Sequence, residues 1–458
     1  MSIDPRPQTD SQKQLVPTLK ALLASIESSG SILLDALQNG SPQSDGELSI
    51  KTAADLDLPF HESAYVALHA SQLRSSCERL AQLVTPPRHL ILEAAGSLYI
   101  TMAIDVVVKS DIATIIHKVS TDTGCNGVPV DILAEKSEMD SDLLGRLMRH
   151  LAVAGIFQET SLNVFKNTLP SLTLVNNPEF KTHLELITHE HAAAMPFFPE
   201  LVSKRYSAPS ASSPLYPVSA FSLYTGGQTW FEWLHSEANR SLNFNIAMRG
   251  MSQTEGLAFL PVDYPFHMLP AEKRIVDVGG GIGSLPTILL PSVPKLSFIV
   301  QDLAPAVSQA TVNASPLMKQ WIAEGKVQFC IQDCFSPQPS ELDNSVFALK
   351  NIMHNYPDSE ALKILVNLRK ANPYKLLIID RIVVPQLQEE SKQYPKNMNT
   401  CLQASATMYD LTMALLVGGK NRTFEEWSHL LEQASFHLDN IFCLRASTGQ
   451  AIIEATCK

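Results

Sequence analysis

The chain has 458 residues, 45% of them hydrophobic and 18% charged, with a formal net charge of −11. That length predicts two or three domains with ample material for buried cores, and the acidic balance excludes a partner that needs a basic face, such as nucleic acid. The seven cysteines include no CxxC pair and have no histidine cluster nearby, which excludes a disulfide framework or a zinc site and reads as reduced thiols in a cytoplasmic protein.

The first residues, MSIDPRPQTDSQKQ, are polar and lack the apolar core of a signal peptide; residues 1–12 read as unstructured. Leu15, Leu19, Leu22, Leu23 and Ile26 recur at helical spacing, predicting an amphipathic helix over Gln14–Leu37. A Gly/Ser/Pro linker follows at Gly40–Glu47. A second helix is expected over Ser63–Leu83, stopped by Pro86-Pro87. His89–Ser110 is apolar on nearly all sides, so it is expected to be buried, as against another subunit. Asp105 and Lys109 interrupt it, and no stretch is expected to span a bilayer. Pro129–Glu159 reads helix, turn, helix, strand, a winged-helix pattern. Its second helix offers only Arg146, Arg149 and His150 as basic groups, so a packing role is favoured over DNA binding. Asn176–Phe198 is helical and carries His183, His189 and His191 without a carboxylate pattern, so no metal site is expected. Ser207–Pro217 is the best linker, dividing a helical domain at 1–206 from a second domain at 218–458.

The second domain is organised around Ile275–Pro286, IVDVGGGIGSLP. A β-branched apolar run breaks into a glycine loop and then a helix, the layout of a ligand-binding strand end in a doubly wound sheet. A dinucleotide fingerprint fails, because Ser284 stands where the third glycine would fall. The spacing is instead G-x-G-x-G at Gly279, Gly281 and Gly283, with Asp277 two residues ahead, and it resembles the first motif of S-adenosylmethionine (SAM) methyltransferases. After the next apolar run, LSFIV, comes Asp302, a carboxylate able to accept from both hydroxyls of a ribose. Five strands, RIVDVG, LSFIVQD, VQFCIQD, VFALKNIMH and KLLIIDRIV, alternate with helical segments at Thr287, Ala304–Gly325, Ser359–Ala371 and Thr400–Leu416. This predicts an α/β fold with a doubly wound parallel sheet. The last segment reads helix, strand, turn, strand, an antiparallel hairpin at the sheet edge.

Taken together, VDVGGGIG, QDLAPAV, QDCF, LKNIMHNYPDSEALKIL, LLIIDRIVVP and GGKNRTFEEW resemble the plant-type (caffeate/flavonoid-like) O-methyltransferases, especially the fungal secondary-metabolite branch. The resemblance covers nearly the whole chain. It implies a Rossmann-like catalytic domain behind a helical, winged-helix dimerisation domain, a homodimer, and a small aromatic or polyketide-like substrate. It further implies that Gly279, Gly280 and Gly281 line the methionine end of SAM and that Asp302 takes the ribose hydroxyls. Leu303 would pack beside the adenine, Asp333 would accept from its amino group with Cys334 alongside, and Lys350 would contact the cofactor. His354 would be the general base, drawing a proton from a phenol whose pKa is about 10. The family orients this histidine with acids. Here the residue after it is Asn355, the acid at the end of the fifth strand is Asp380 in place of the usual Glu, and the later acid is Asn421. These neutral positions leave a second reading open, a SAM-binding pericyclase of the same fold. Pocket walls are expected from Asn176–Phe198, Phe221–Trp233 and Thr400–Val417.

Overall fold

The computed structural model describes residues 10–39, 63–203, 218–385, 403–445 and 449–458. The linkers read at Gly40–Glu47 and Ser207–Pro217 lie outside them, as do residues 1–9. The chain forms two compact units, the first running to Pro178 and the second starting at Glu179. The division therefore falls ahead of the linker expected at 207–217. Glu179 and Phe180 belong to the second unit because the backbone at Gly250 packs directly on them: a Cβ there would lie 2.1 Å from the Glu179 carbonyl oxygen. Arg249 Nε also donates to Glu179 Oε1 at 2.7 Å.

In the first unit the helices Asp10–Asn39 and Ala64–Val84 pack on each other. Pro86-Pro87 separates the second from the next, and Pro87 opens the helix Pro87–Lys109, where its missing N–H is not needed. That helix bears on two expectations. Only Ala103, Val107 and Val108 of it are buried in the single chain, while Ile91 and Leu92 are 72% and 70% exposed. It is also long and apolar enough to cross a membrane by length and composition. Asp105 and Lys109 do not interrupt it, because they lie near its end and pair with each other one turn apart at 2.8 Å. Next come the helices Ile112–Thr123, Val130–Ser137 and Ser141–Val153, with the strands β1 (Val128–Pro129), β2 (Phe157–Ser161) and β3 (Val164–Asn167) in the order β1-β3-β2. Asp140 caps Ser141–Val153 by accepting from the Leu143 N–H at 2.8 Å. Arg149, one of the basic residues of this helix, is engaged by Glu159 and Asn163 of the hairpin.

The second unit is built on a seven-stranded sheet. In chain order its strands are β4 (Ile275–Val278), β5 (Phe298–Asp302), β6 (Val327–Ile331), β7 (Val346–Lys350), β8 (Lys375–Arg381), β9 (Phe436–Cys443) and β10 (Gln450–Cys457). Their spatial order is β6-β5-β4-β7-β8-β10-β9. β4 to β8 are parallel, and the terminal hairpin adds β10 antiparallel to β8. All four residues of β4 are buried, as the central strand of a sheet covered on both faces requires. Alternate side chains feed two cores. Val276, Phe347 and Ile378 meet Ile364, Leu368 and Trp427 on one face. Ile275, Ala348 and Leu377 meet Leu260, Leu285 and Leu289 on the other. Each such fully buried apolar side chain contributes about 1.5–3 kcal/mol. The expected helix over Ala304–Gly325 is two, Ala304–Val312 and Pro316–Ala323, because Ser315 caps a fresh start at Pro316.

The helical run expected over Asn176–Phe198 begins as Pro178–Leu186 and widens into a π-helical turn, Ile187–His191. Ala194 of this run packs with Phe221, Trp230, Leu234, Leu415 and Leu416.

Candidate active site

The glycine loop is shaped by what it must approach. Gly279, Gly281 and Gly283 all have positive φ, at 69°, 57° and 83°. At Gly279 a Cβ would sit 2.4 Å from Ile352 Cδ1, and at Gly280 one would sit 2.4 Å from Asp277 Oδ2. The Gly281 N–H donates to Asp302 Oδ2 at 2.8 Å, and the Leu303 N–H donates to Oδ1 at 2.7 Å. Asp302 thus pins the loop to the end of β5. Burial raises its pKa, and the Leu303 and Gly281 N–H groups partly offset this. Each of its oxygens still has a lone pair for a further donor.

Asp277 is fully buried and neither of its oxygens has a partner. Burial pushes it up to about 7; the nearby Lys350 ammonium lowers it and Asp302 raises it further. Lys350 ends β7, half-buried. Leu303 is half exposed, an apolar side chain free to cover a flat ligand. Asp333 is exposed, and its Oδ1 accepts from the Phe335 N–H at 2.9 Å. Burial next to Asp333 pushes the Cys334 thiol up to about 11, so it stays protonated.

β7 leads to His354, buried in the short turn Met353–Asn355. Its Nδ1 lies 2.6 Å from Asp380 Oδ1, and its backbone N–H donates to Asp380 Oδ2 at 3.0 Å. Burial raises the Asp380 carboxyl, but the charge and hydrogen bond of His354 and the Arg381 N–H outweigh this and hold it below the usual range. An ionised Asp380 only accepts, so Nδ1 carries the proton and Nε2 is left as the acceptor. That is the tautomer a general base needs. Asp380 therefore takes the orienting position despite its shorter side chain.

Asn421 and Asn355 do not join this pair. Asn355 Nδ2 donates to the Asn351 carbonyl at 3.1 Å. The Asn421 amide is buried with neither its Nδ2 nor its Oδ1 partnered, while its backbone N–H donates to Asp410 Oδ1 at 2.7 Å. A buried amide with both atoms unmet is an open hydrogen-bonding position.

Two residues that the sequence reading left without roles hold the turn that carries His354. Gly419 abuts it so closely that a Cβ would lie 2.1 Å from the His354 carbonyl oxygen. Arg422, fully buried, donates to the Met353 and Tyr356 carbonyls at 3.0 and 2.8 Å and to Asp358 Oδ1 at 2.8 Å. Both lie in the GGKNRTFEEW motif, where the glycine pair and the lone arginine were the available signal. Of the three histidines singled out earlier, His183 and His191 are buried, and burial pushes them down to about 4 and about 3. Among the described residues no three His, Cys, Asp or Glu side chains gather as metal ligands.

The glycine cradle, the paired acceptors of Asp302 and the buried, unmet carboxylate of Asp277 fit a ligand with an amino-acid end and a ribose. The fold and this site define a class I SAM-dependent methyltransferase unit, with SAM as its cofactor. Residues 218–437 match the O-methyltransferase domain family. Among curated proteins, the chain is 28% identical to O-methyltransferase kk1A of Curvularia clavata over 89% of this chain and 90% of that one. It is 26% identical to O-methyltransferase tpcA of Aspergillus fumigatus over 82% and 84%. Among solved structures it is similar to the mitomycin 7-O-methyltransferase MmcR, at TM-score 0.61 and 20% identity over 84% of this chain and 100% of that one. It is also similar to LepI in complex with S-adenosylhomocysteine and a substrate analogue, at TM-score 0.67 and 19% identity over 85% and 94%.

Proposed function

We propose that this protein is a SAM-dependent O-methyltransferase acting on a hydroxyl of an aromatic or polyketide-like secondary metabolite, with His354 as general base. The observation that carries the reading is the buried His354–Asp380 pair at 2.6 Å, set at the carboxyl edge of the sheet beside the glycine loop. Bound SAM would supply a methyl group on a positively charged sulfur. Gly279, Gly280, Gly281, Asp302, Leu303, Asp333, Cys334 and Lys350 would hold it, in the roles the family resemblance assigns. His354 Nε2 accepts the proton of the substrate hydroxyl, and the charge that forms on the ring is stabilised by Asp380 through Nδ1–H. The unmet Asn421 amide would donate to or accept from a substrate oxygen. The aromatic cluster of Phe221, Trp230 and Trp233 packs as core, so the aromatic, polyketide-like substrate class rests on the family resemblance. NcsB1, at TM-score 0.57, binds 2-hydroxy-5-methyl naphthoic acid, a ligand of that class.

The pericyclase reading is not favoured. The matched family and the curated relatives are O-methyltransferases, and the likeness to LepI at 19% identity speaks to fold alone. The test is incubation with SAM and a panel of phenolic and naphthoic polyketides, reading methylated product and S-adenosylhomocysteine by mass spectrometry. Turnover without S-adenosylhomocysteine would end the methyltransferase reading.

The homodimer and the cytoplasmic location belong to the same proposal. The uncovered apolar side chains of Pro87–Lys109, among them Leu90, Ile91, Leu92, Leu98 and Tyr99, support the dimer. Light scattering at micromolar concentration should give twice the chain mass.

A further inference from the structure

Glu255 lies far upstream of the catalytic turn and in none of the sequence motifs, yet it is fully buried beneath that turn. Its Oε1 accepts from three groups, each at 2.9 Å: Arg381 Nη2, Asn351 Nδ2 and Gln450 Nε2. Gln450 Nε2 also donates to Asn351 Oδ1 at 2.7 Å, which closes the network. Its members attach to both halves of the His354–Asp380 pair. Asn351, held in the left-handed region at φ 57°, opens the turn that carries His354. Arg381 follows Asp380, and its backbone N–H donates at 2.9 Å to Asp380 Oδ1, the oxygen facing His354 Nδ1. The Arg381 guanidinium stacks on the Tyr409 ring at 3.8 Å.

A buried ion pair of this kind contributes little net stability, and an apolar pair of the same volume often serves the fold as well. Its position and charge remain to be explained. His354 must become positive when it takes a proton, and Asp380 is there to stabilise that charge. An unbalanced guanidinium beside Asp380 would draw on the same carboxylate and oppose the imidazolium. Glu255 cancels it at contact distance.

We propose that Glu255 is a positioning residue for the base: it fixes Asn351 at the root of the catalytic turn and neutralises Arg381, leaving the charge of Asp380 available to His354. This deepens the methyltransferase reading and rests on it. Among the described residues, charged and titratable groups reach the pair from several elements. Asp380 and Arg381 come from β8, and Tyr409 and Asp410 from the helix Gln403–Leu416. Lys420 and Arg422 come from the loop after that helix, Asp358 from the helix Asp358–Lys370, and His183, electrostatically coupled to Glu255 and Arg381, from Pro178–Leu186. Burial keeps His183 neutral, so it does not replace Glu255 as a counter-charge.

The experiment is NMR titration of the His354 imidazole, assigned by the signal lost in His354→Gln, in wild type, Glu255→Gln, Arg381→Met and the double variant. Glu255→Gln should move the His354 midpoint down by about 0.5–1 pH unit, a three- to tenfold weaker hold on the proton. Arg381→Met should move it up by a similar amount, and the double variant should return to within about 0.3 unit of wild type. If Glu255→Gln does not fold, Arg381→Met and the double variant, which buries no unpaired charge, carry the comparison. A purely structural pair would leave the midpoint unmoved or shift both single variants the same way, and either result overturns the proposal. The titration needs no substrate. Failure to detect S-adenosylhomocysteine would therefore strike the methyltransferase reading alone, and an unmoved His354 in an active enzyme would strike this inference alone.

Discussion

The glycine loop at 279–283 and the turn around His354 form two parts of one site and are built in opposite ways. The loop is local: its shape follows from positive φ at three glycines and from one carboxylate, Asp302, on the neighbouring strand. The turn is assembled from a distance. Asp380 orients the ring, Arg422 and Gly419 brace the backbone, and Glu255 and Gln450 anchor Asn351. A ligand-binding loop needs backbone N–H groups and space, which adjacent residues supply. A buried base needs counter-charge and fixed direction, and only side chains converging from several elements can supply those.

If the two parts are separable, substitutions should split cleanly between turnover and cofactor affinity. The largest effect is expected at His354→Ala, which should lower kcat by about 10²–10⁴ and leave SAM affinity in calorimetry unchanged. Equal losses in both would show that the turn and the loop act as one unit.

The next concerns Asp277, at the root of the loop. Its folded pKa of about 7 lies above the ordinary carboxylate value of about 3.9 in an unfolded chain. The folded state therefore binds the proton more tightly, and the contribution of Asp277 to the stability of the cofactor-free protein is fully present below about pH 4. It should fall as pH rises from about 4 to about 7, by up to about 4 kcal/mol. Urea denaturation of wild type and Asp277→Asn across pH 4–8 checks this, since the variant should lose that slope.

Asp302→Ala removes the acceptor proposed for the ribose and also frees the Gly281 N–H. Loss of about 1.5–3 kcal/mol corresponds to roughly a ten- to hundredfold weaker hold on SAM. Gly280→Ala should act on the same quantity more modestly. Its methyl would meet Asp277 Oδ2 and Val300 Cγ1, an overpacking penalty of about 1–3 kcal/mol that small shifts can relieve in part. In calorimetry it should weaken SAM severalfold, with kcat at saturating SAM nearly unchanged. A collapse of kcat there would mean that the loop also shapes the turn, through the contact of Gly279 with Ile352.

Much of the catalytic unit was legible in the chain itself. β4 to β8 declare themselves as apolar β-branched runs, and their alternation with helices dictates a parallel sheet because parallel neighbours need a long crossover, which a helix supplies. The positions of Asp302 and His354 follow for the same reason, since they stand at or just past the carboxyl ends of β5 and β7. The Pro87–Lys109 helix shows the limit of such reading. Its composition says that it avoids water, but not what covers it, and in the single chain most of its apolar length is uncovered.

Tertiary structure alone decided which polar residues meet. Asp380 and Asn421 both stand where the family resemblance expects an acid near His354, yet only Asp380 reaches it, because β8 runs beside β7 in register while the Asn421 backbone is drawn to Asp410. Glu255, Arg381 and Gln450 carry no local pattern, because a buried charge network leaves no periodic trace. Sequence determines elements through interactions among neighbours, which repeat every two or three to four residues. The site depends on contacts between residues from 21 to 195 positions apart, and these exist only once the sheet has set its strand order.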